Sequence, residues 1–166
     1  INGGVIFNLY GDTNQHIEYE KGINNWSDIK YFNQLRYFEL NQNYRNALQI
    51  TEYCNKNFNY EMQPINLPGN GVKIHNANED YLYNIIDEVY KNKNNSYRMA
   101  VITKDVRSIN NKSLKKLNSP INKINRNNRK LENSMINIIS IDDAKGLEFD
   151  VVIVVDSPLL TEHERY

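Results

Sequence analysis

The segment that most constrains the fold of this 166-residue chain is the run from Val151 to Val155, in which four of five residues are valine. An uninterrupted β-branched run of this length predicts a strand buried on both faces, as in a parallel sheet. Asp150 and Asp156 flank the run and mark its ends. Met99 to Ile102 and Met135 to Ile141 predict two further buried strands. Strands of this kind need covering layers, so the sequence predicts a layered α/β domain.

Two segments that precede these strands have helical periodicity. In the first, Asn46 is the predicted N-cap, and Gln49 would complete a capping box. Its apolar face is Ala47, Ile50, Cys54 and Phe58. Asn78 is the predicted N-cap of the second helix. The apolar face of that helix is Leu82, Ile85, Ile86 and Val89. Strands that alternate with helices indicate a mostly parallel central sheet.

Weaker patterns complete the predicted order of elements. Short apolar or alternating runs predict four more strands, at Val5 to Leu9, Arg36 to Leu40, Val72 to His75 and Ile121 to Ile124. Ser27 to Phe32 and Asp105 to Leu117 are predicted to be helical.

The overall charge excludes little, because the formal net charge is +0 and the sequence pI is about 7.0. Whole-chain charge therefore gives no support for nucleic-acid binding, which would need a local patch. One basic stretch could track a DNA backbone, although a solvated face in a lysine-rich sequence is the favoured interpretation. The stretch is Lys112, Lys115, Lys116, Lys123, Arg126, Arg129 and Lys130.

Other residue classes suggest no special chemistry. A single cysteine, Cys54, excludes an intrachain disulfide and is interpreted as a small core residue. His16, His75 and His163 are far apart and lack metal-ligand spacing, so no metal site is predicted. No apolar run reaches the roughly 20 residues that span a bilayer, and no signal peptide is visible. We therefore expect a cytoplasmic protein without a membrane partner.

Three polar segments carry the chemistry. Gly11-Asp12-Thr13-Asn14-Gln15 follows a predicted strand, where open α/β sheets bind ligands. Leu40-Asn41-Gln42-Asn43-Tyr44-Arg45 offers a phosphate-binding guanidinium beside an aromatic ring. The run from Ser140 to Asp150 (SIDDAKGLEFD) joins two predicted strands and is the most specific signal. Taken alone, the first segment would be interpreted as an ordinary loop, and Arg45 of the second as a surface residue in an ion pair.

In this order, the three segments resemble motifs III, IV and V of UvrD/Rep-type superfamily 1 DNA helicases. Glu164-Arg165 resembles the start of motif VI. The resemblance implies a RecA-like three-layer domain, the second (C-terminal) motor domain of such an enzyme. It assigns residues 1–20 to the motif III strand and turn, which could end the first motor domain. It assigns residues 21–166 to the second domain, cut within motif VI, and we expect the chain to be part of a longer protein.

The resemblance also implies roles for single residues. Gln15 would contact the γ-phosphate of ATP, and Arg45 would reach that phosphate as an arginine finger. Tyr44 would stack on adenine. Glu148 would bind the ribose, and Gly146 would allow the nucleotide to approach the backbone. An arginine finger stabilises transition-state charge and contributes roughly 10³-fold or more in rate.

DNA contacts are implied at three positions. Ser140 stands where the family has a DNA-contacting threonine, whereas Asp142 replaces a family histidine and would repel a phosphate. Tyr19 and Trp26 are candidates for the aromatics that stack on bases, and for Trp26 a packing role is an equal alternative.

The chain contains no Gly-x-x-x-x-Gly-Lys-Ser/Thr phosphate loop. ATP would bind with Mg²⁺ whose ligands come from the first RecA-like domain of the same protein, so this chain alone is expected not to hydrolyse ATP. The expected function is ATP-driven movement on single-stranded or partly duplex DNA. Two alternatives stay open: a motor that remodels RNA polymerase or a nuclease complex, and a non-catalytic interaction module.

Overall fold

The structure, a computed structural model, describes residues 7–13, 23–29, 36–58, 60–76, 78–106, 114–125 and 127–156. The described residues divide into two compact units, one up to residue 75 and the other from residue 76 onward. Each unit is described by itself below.

The described residues of the first unit form a short parallel sheet, one α-helix and one 3-10 helix. Strand β1 (Gln42–Asn43) pairs with β2 (Gln63–Pro64), and helix α1 (Leu48–Phe58) lies between them in sequence. The side chain of Asn55 on α1 exchanges two hydrogen bonds with the backbone of Met62, which fixes the helix against β2. A short 3-10 helix (Trp26–Asp28) lies upstream and is capped by Asn25. It overlaps the helix predicted from Ser27 to Phe32 at Ser27 and Asp28 only, since Ile29 is not helical and residues 30–32 lie outside the described residues.

Two predicted features of α1 are wrong. Asn46 is not its N-cap, and Gln49 completes no capping box. The helix starts at Leu48, whose N–H donates to the Leu67 carbonyl at 2.8 Å, while the Ala47 carbonyl accepts from Ile50 and Thr51. The backbone N–H of Asn46 instead donates to the Asn43 side chain. The buried position is Thr51, whereas Ile50 is 38% exposed.

The second unit is a four-stranded sheet in which every pairing is parallel. The strands are β3 (Met99–Thr103), β4 (Ile121–Lys123), β5 (Ile136–Ser140) and β6 (Val151–Val154), in the order β4-β5-β3-β6. The strands predicted at Met99, Ile121, Met135 and Val151 are therefore confirmed. With its helices, this sheet gives the chain the α/β, RecA-like fold expected from the sequence.

Helix α2 (Glu79–Asn92) covers the first face of this sheet. Asn78 caps it as predicted, because its side-chain oxygen accepts from the Tyr81 N–H at 2.9 Å. Tyr83 and Ile86 of the helix are buried against the sheet. The sheet residues of this cluster are Met99, Val101, Ile136 and Ile138, with Leu114 beside them. Helix α3 (Ile141–Ala144) follows β5 directly.

The second face of the sheet has a smaller apolar cluster of Ala100, Ile124 and Ile139. Leu131, Ala144 and Phe149 pack against it. The strand from Val151 was predicted to be buried on both faces, and this prediction is wrong: Val152 and Val154 are 45% and 57% exposed. The reason is that β6 is an edge strand, and the described residues cover only its first face.

Three further strand predictions fail among the described residues. No regular structure is found in Arg36 to Leu40, in Val72 to His75, or in Phe7 to Leu9 of the strand predicted from Val5 to Leu9, and these residues are mostly exposed. Val5 and Ile6 lie outside the described residues. A strand needs a hydrogen-bonded neighbour, and no described segment pairs with these runs. The predicted helix from Asp105 lies mostly outside the described residues.

Candidate functional site

The predicted adenine and phosphate residues, Tyr44 and Arg45, lie in the tight turn between β1 and α1. The turn is held by Asn43, whose side-chain oxygen accepts from the N–H groups of Arg45 and Asn46, both at 3.1 Å. Both N–H groups are thereby satisfied without a helix, which gives a compact polar turn. The amide nitrogen of Asn43 also lies 3.5 Å from the sulfur of Met62. The side chain of Asn43 is thus the anchor of the turn.

The turn presents its two candidate side chains outward. Tyr44 is 67% exposed, and its hydroxyl hydrogen-bonds to Gln42 Oε1. Arg45 is also exposed. An exposed tyrosine ring can stack on a base, and a neighbouring guanidinium can bind phosphate oxygens. The structure therefore brings these two predicted residues together, next to each other on one surface turn.

The N-terminus of α1 is closed by the segment that follows β2. The Leu67 carbonyl accepts the first helical N–H, and Gly69 lies so close that an added Cβ would be 2.4 Å from the Cβ of Ala47. Gly69 must therefore stay a glycine for the segment to keep this path. The side-chain oxygen of Gln49 is buried there, without a hydrogen-bond partner in the described residues.

The motif V segment follows β5 and begins with Ser140. Its hydroxyl accepts from the Asp143 N–H at 3.2 Å and lies 2.8 Å from Asp143 Oδ2, to which it donates. Ser140 is thus the N-cap of α3, and its proton is directed to a carboxylate. Asp142 and Asp143 are both exposed. The start of α3 therefore presents negative charge to solvent.

Gly146 and Glu148 lie just beyond α3. Gly146 has φ +80°, in the left-handed region, and an added Cβ would meet nothing within 4 Å. The backbone conformation, not crowding, is therefore what favours glycine at this position. The N–H of Leu147 donates to the Ala144 carbonyl at 3.0 Å and closes the turn. Glu148 is exposed, with its carboxylate on the same short loop.

The described part of motif III borders an open apolar cavity of about 320 Å³ in the first unit. Gly11 lies against Trp26, because an added Cβ would be 3.4 Å from two atoms of the indole ring. Trp26 is half-buried. The cavity is lined by Leu9, Tyr10, Gly11, Asp12, Thr13, Ile23, Trp26 and Ile29. Gln15 and Tyr19, predicted to contact phosphate and DNA, lie outside the described residues.

Two groups of residues were missed in the sequence. The sequence pattern indicates Asn43 only as part of a motif. Asparagine is nevertheless a known turn residue, because its side chain can accept a hydrogen bond from the backbone N–H two residues further on. The buried pair Asn122 and Asn137 had no detectable signal, because asparagine recurs along the whole chain.

The described residues contain neither a cluster of metal-ligating side chains nor a helix that could span a membrane. Within those ranges, no three His, Cys, Asp or Glu side chains are grouped as metal ligands would be. Along the same ranges, no helix has both the length and the hydrophobicity needed to cross a bilayer.

Comparison with known families identifies the second unit together with the few residues that precede it. The family model described as the UvrD-like helicase C-terminal domain matches residues 68–158, more than half of the chain. The match includes Ser140, Gly146 and Glu148, whereas Trp26 and the turn with Arg45 precede it. Searches of curated proteins and of solved structures gave no significant match. The matched range contains the whole parallel sheet and the motif V segment, so the chain belongs to the UvrD-like helicase C-terminal domain family.

Proposed function

We propose that this chain is the second motor domain of an ATP-dependent superfamily 1 DNA helicase or translocase. The observation that carries the proposal is the Asn43 turn, which holds Tyr44 and Arg45 side by side and exposed at the end of β1. Family membership supplies the helicase class. ATP hydrolysis, the arginine finger and movement on single-stranded DNA are the proposed steps beyond it.

The proposed role of Arg45 is to stabilise negative charge on the γ-phosphate as the phosphoryl bond breaks. Its guanidinium keeps its proton and offers a planar fork of donors to phosphate oxygens. A finger supplied from a second domain makes hydrolysis depend on domain closure. Since Asn43 holds the backbone N–H of Arg45, closure would bring the arginine side chain to the phosphate from a fixed backbone position.

Other residues are proposed to make the remaining nucleotide contacts. Tyr44 would stack on adenine, and Glu148 would accept hydrogen bonds from the ribose hydroxyls. The empty space above the backbone of Gly146 fits a ligand that approaches closely. These groups suit a nucleoside triphosphate: an aromatic ring, a guanidinium and a carboxylate. Gln15 is proposed to contact the γ-phosphate.

Several parts of the reaction would come from elsewhere. These 166 residues contain no phosphate-loop sequence. We propose that the first RecA-like domain supplies that loop and the Mg²⁺ ligands, with residues 1–20 belonging to motif III and residues 21–166 to the second domain. The proposed DNA contacts are Ser140, Trp26 and Tyr19. A motor that acts on DNA would work in the cytoplasm.

The test is ATPase activity of the product of the complete reading frame that contains this sequence. Turnover is measured with and without single-stranded DNA, for the natural protein and for Arg45→Ala, Arg45→Lys and Arg36→Ala. Arg36 is an exposed arginine of the same unit, so its variant controls for loss of one positive charge. We expect DNA-stimulated turnover that falls about 10³-fold in Arg45→Ala. Arg45→Lys should recover little of it, because an ammonium cannot replace the fork.

Other outcomes would favour the other candidates. Turnover that ignores both DNA and Arg45 would overturn the finger assignment and favour a remodelling motor acting on RNA polymerase or a nuclease complex. An intact phosphate loop in the reading frame would nearly eliminate a non-catalytic interaction module, whereas a missing loop together with no turnover would favour one.

A further inference from the structure

The positive charge of this neutral chain is concentrated in one segment. Between Asp105 and Glu132 the sequence has eight Lys or Arg residues and neither Asp nor Glu, although the whole chain has a net charge of +0. The last part of this segment lies in the connection from β4 to β5, residues 124–135. Its position on the sheet can therefore be compared with that of the acidic motif V segment in the same unit.

The connection crosses the second face of the sheet, and its described residues form no helix. Ile124 and Leu131 pack onto the apolar cluster of that face. Asn122 Nδ2 donates to the Lys130 carbonyl at 2.8 Å, and Asn128 Nδ2 donates to the Lys123 carbonyl at 3.1 Å. Parallel strands are usually joined through a helix, and here side-chain amides take over the anchoring. The crossover is thus fixed to the sheet at several points.

Two cations lie on the outer side of this fixed crossover. Arg129 and Lys130 are adjacent and exposed. Among the described residues, Arg129 has no carboxylate partner. Lys130 Nζ lies 2.8 Å from Glu132 Oε1, with 79% of the lysine side chain exposed. An ion pair so open to water contributes little stability, so Lys130 can exchange Glu132 for another anion.

The motif V segment has the opposite character. Asp142 and Asp143 are exposed at the start of α3, and the Ser140 hydroxyl donates to Asp143 rather than outward. A phosphate there would meet two carboxylates and find its expected donor already engaged. The two carboxylates would repel a phosphate, whereas adjacent cations on a fixed backbone would attract it.

We infer that the crossover surface, defined as Arg129 and Lys130, binds the phosphate backbone of single-stranded DNA and supplies the positive charge that the start of α3 lacks. The inference rests on the proposed function, because it takes single-stranded DNA as the polyanion. Phosphate contacts of this kind position a strand without reading its sequence. The firm anchoring matters because cations on an ordered backbone lose less freedom when they bind.

The test is binding of fluorescent oligo-dT to the 166-residue chain over a range of salt concentrations. The double variant Arg129→Ala/Lys130→Ala is compared with Lys73→Ala/Lys91→Ala, which removes two exposed charges elsewhere. Each lost phosphate contact on a single strand lowers the slope of log K against log salt by about 0.7. We expect the crossover variant to lose about 1.4 in slope and to bind roughly tenfold more weakly near 0.1 M salt. The control pair should keep the natural slope.

Equal losses in the two double variants would overturn the inference, since net charge alone would then explain binding. An unchanged slope in the crossover variant would overturn it as well. Circular dichroism checks that both variants are folded. The Arg45 experiment reads ATP turnover and involves neither Arg129 nor Lys130. If the crossover variant kept the natural salt slope while Arg45→Ala still lost ATP turnover, the crossover inference would be wrong and the proposed motor function would stand. If Arg45→Ala kept its turnover while the crossover variant lost slope, the proposed motor function would be wrong.

Discussion

The side-chain amide of Asn122 donates to the side-chain oxygen of Asn137 at 2.9 Å, between register partners on β4 and β5. Asn137 also donates to the carbonyls of Met99 and Glu132, at 3.0 and 2.9 Å, and accepts from the Glu132 N–H at 3.0 Å. Its two donors and two acceptor sites are thus all used, although the residue is fully buried. A polar side chain takes a core position here because the crossover needs partners for its backbone.

We expect Asn137→Ala to destabilise the second unit by about 3 kcal/mol or more, because several buried groups lose their partners and each costs roughly 1–3 kcal/mol. Urea unfolding followed by circular dichroism measures the change. Asn127→Ala is the matched control, since that side chain is exposed on the same crossover. Equal stabilities of the two variants would show that the buried amides do not anchor the crossover.

Asp87 on α2 should make the protein sensitive to acid. Its buried carboxylate accepts from the N–H groups of Asn118 and Ser119, at 2.9 and 3.1 Å, and from the Asn118 amide at 3.2 Å. Burial raises the pKa of Asp87, but these hydrogen bonds outweigh it, and the net pKa lies below the ordinary value. The carboxylate thus stabilises the fold above the unfolded-state pKa, near 4, and this contribution is lost as pH falls through the lower folded-state pKa.

We expect Asp87→Asn to cost about 2 kcal/mol at neutral pH, because an amide nitrogen would face backbone donors. Its difference from the natural protein should shrink as pH falls below about 4. Asp80→Asn on the same helix is the control, because Asp80 is largely exposed in its pair with Lys116 and should matter little. Unfolding curves at several pH values test this, and a pH-independent difference would contradict it.

The sequence predicted where helices and strands lie better than it predicted which residues pack against them. The valine run at Val151 is a strand because β-branched residues favour extended backbone, which is a local property. Whether Val152 and Val154 are covered depends on what packs beside an edge strand, which no local pattern encodes. The run Arg36 to Leu40 fails for the same reason, since alternation without a pairing neighbour does not make a strand.

The sequence predicted the residues of the candidate site that belong to family motifs. It did not predict the residues that hold the backbone of the site in place. Arg45 and Gly146 were found through the family resemblance, and the left-handed backbone of Gly146 agrees with a glycine requirement. Asn43 and Asn137 act through hydrogen bonds to distant or neighbouring backbone. Their amides look the same in sequence as the many surface asparagines of this chain, so only the structure separates them.

Trp26 is the only tryptophan, so its fluorescence reports on the cavity beside Gly11. If it is a base platform, oligo-dT should quench it. Trp26→Ala should then weaken oligo-dT binding about tenfold or more, because stacking contributes roughly 1–3 kcal/mol per base. Duplex DNA, whose bases are already stacked and paired, should quench far less. Unchanged fluorescence with oligo-dT bound would assign Trp26 to packing.

Gly146 separates a backbone requirement from a space requirement. An alanine side chain would meet no neighbour within 4 Å, so the cost of Gly146→Ala should come from the left-handed φ of +80° alone. We expect a loss of about 1–2 kcal/mol in unfolding free energy. Gly146→Asn should cost less, because asparagine tolerates this conformation better than alanine does.

The two variants should rank differently in nucleotide binding. If a nucleotide approaches the backbone of Gly146 as proposed, the larger asparagine side chain should raise the KM for ATP more than alanine does. Gly146→Asn would then be the more stable variant, whereas Gly146→Ala would raise the KM for ATP less. Urea unfolding of the chain and ATPase kinetics of the complete reading-frame product provide the two rankings. If KM followed stability instead, Gly146 would serve the loop conformation and not the nucleotide.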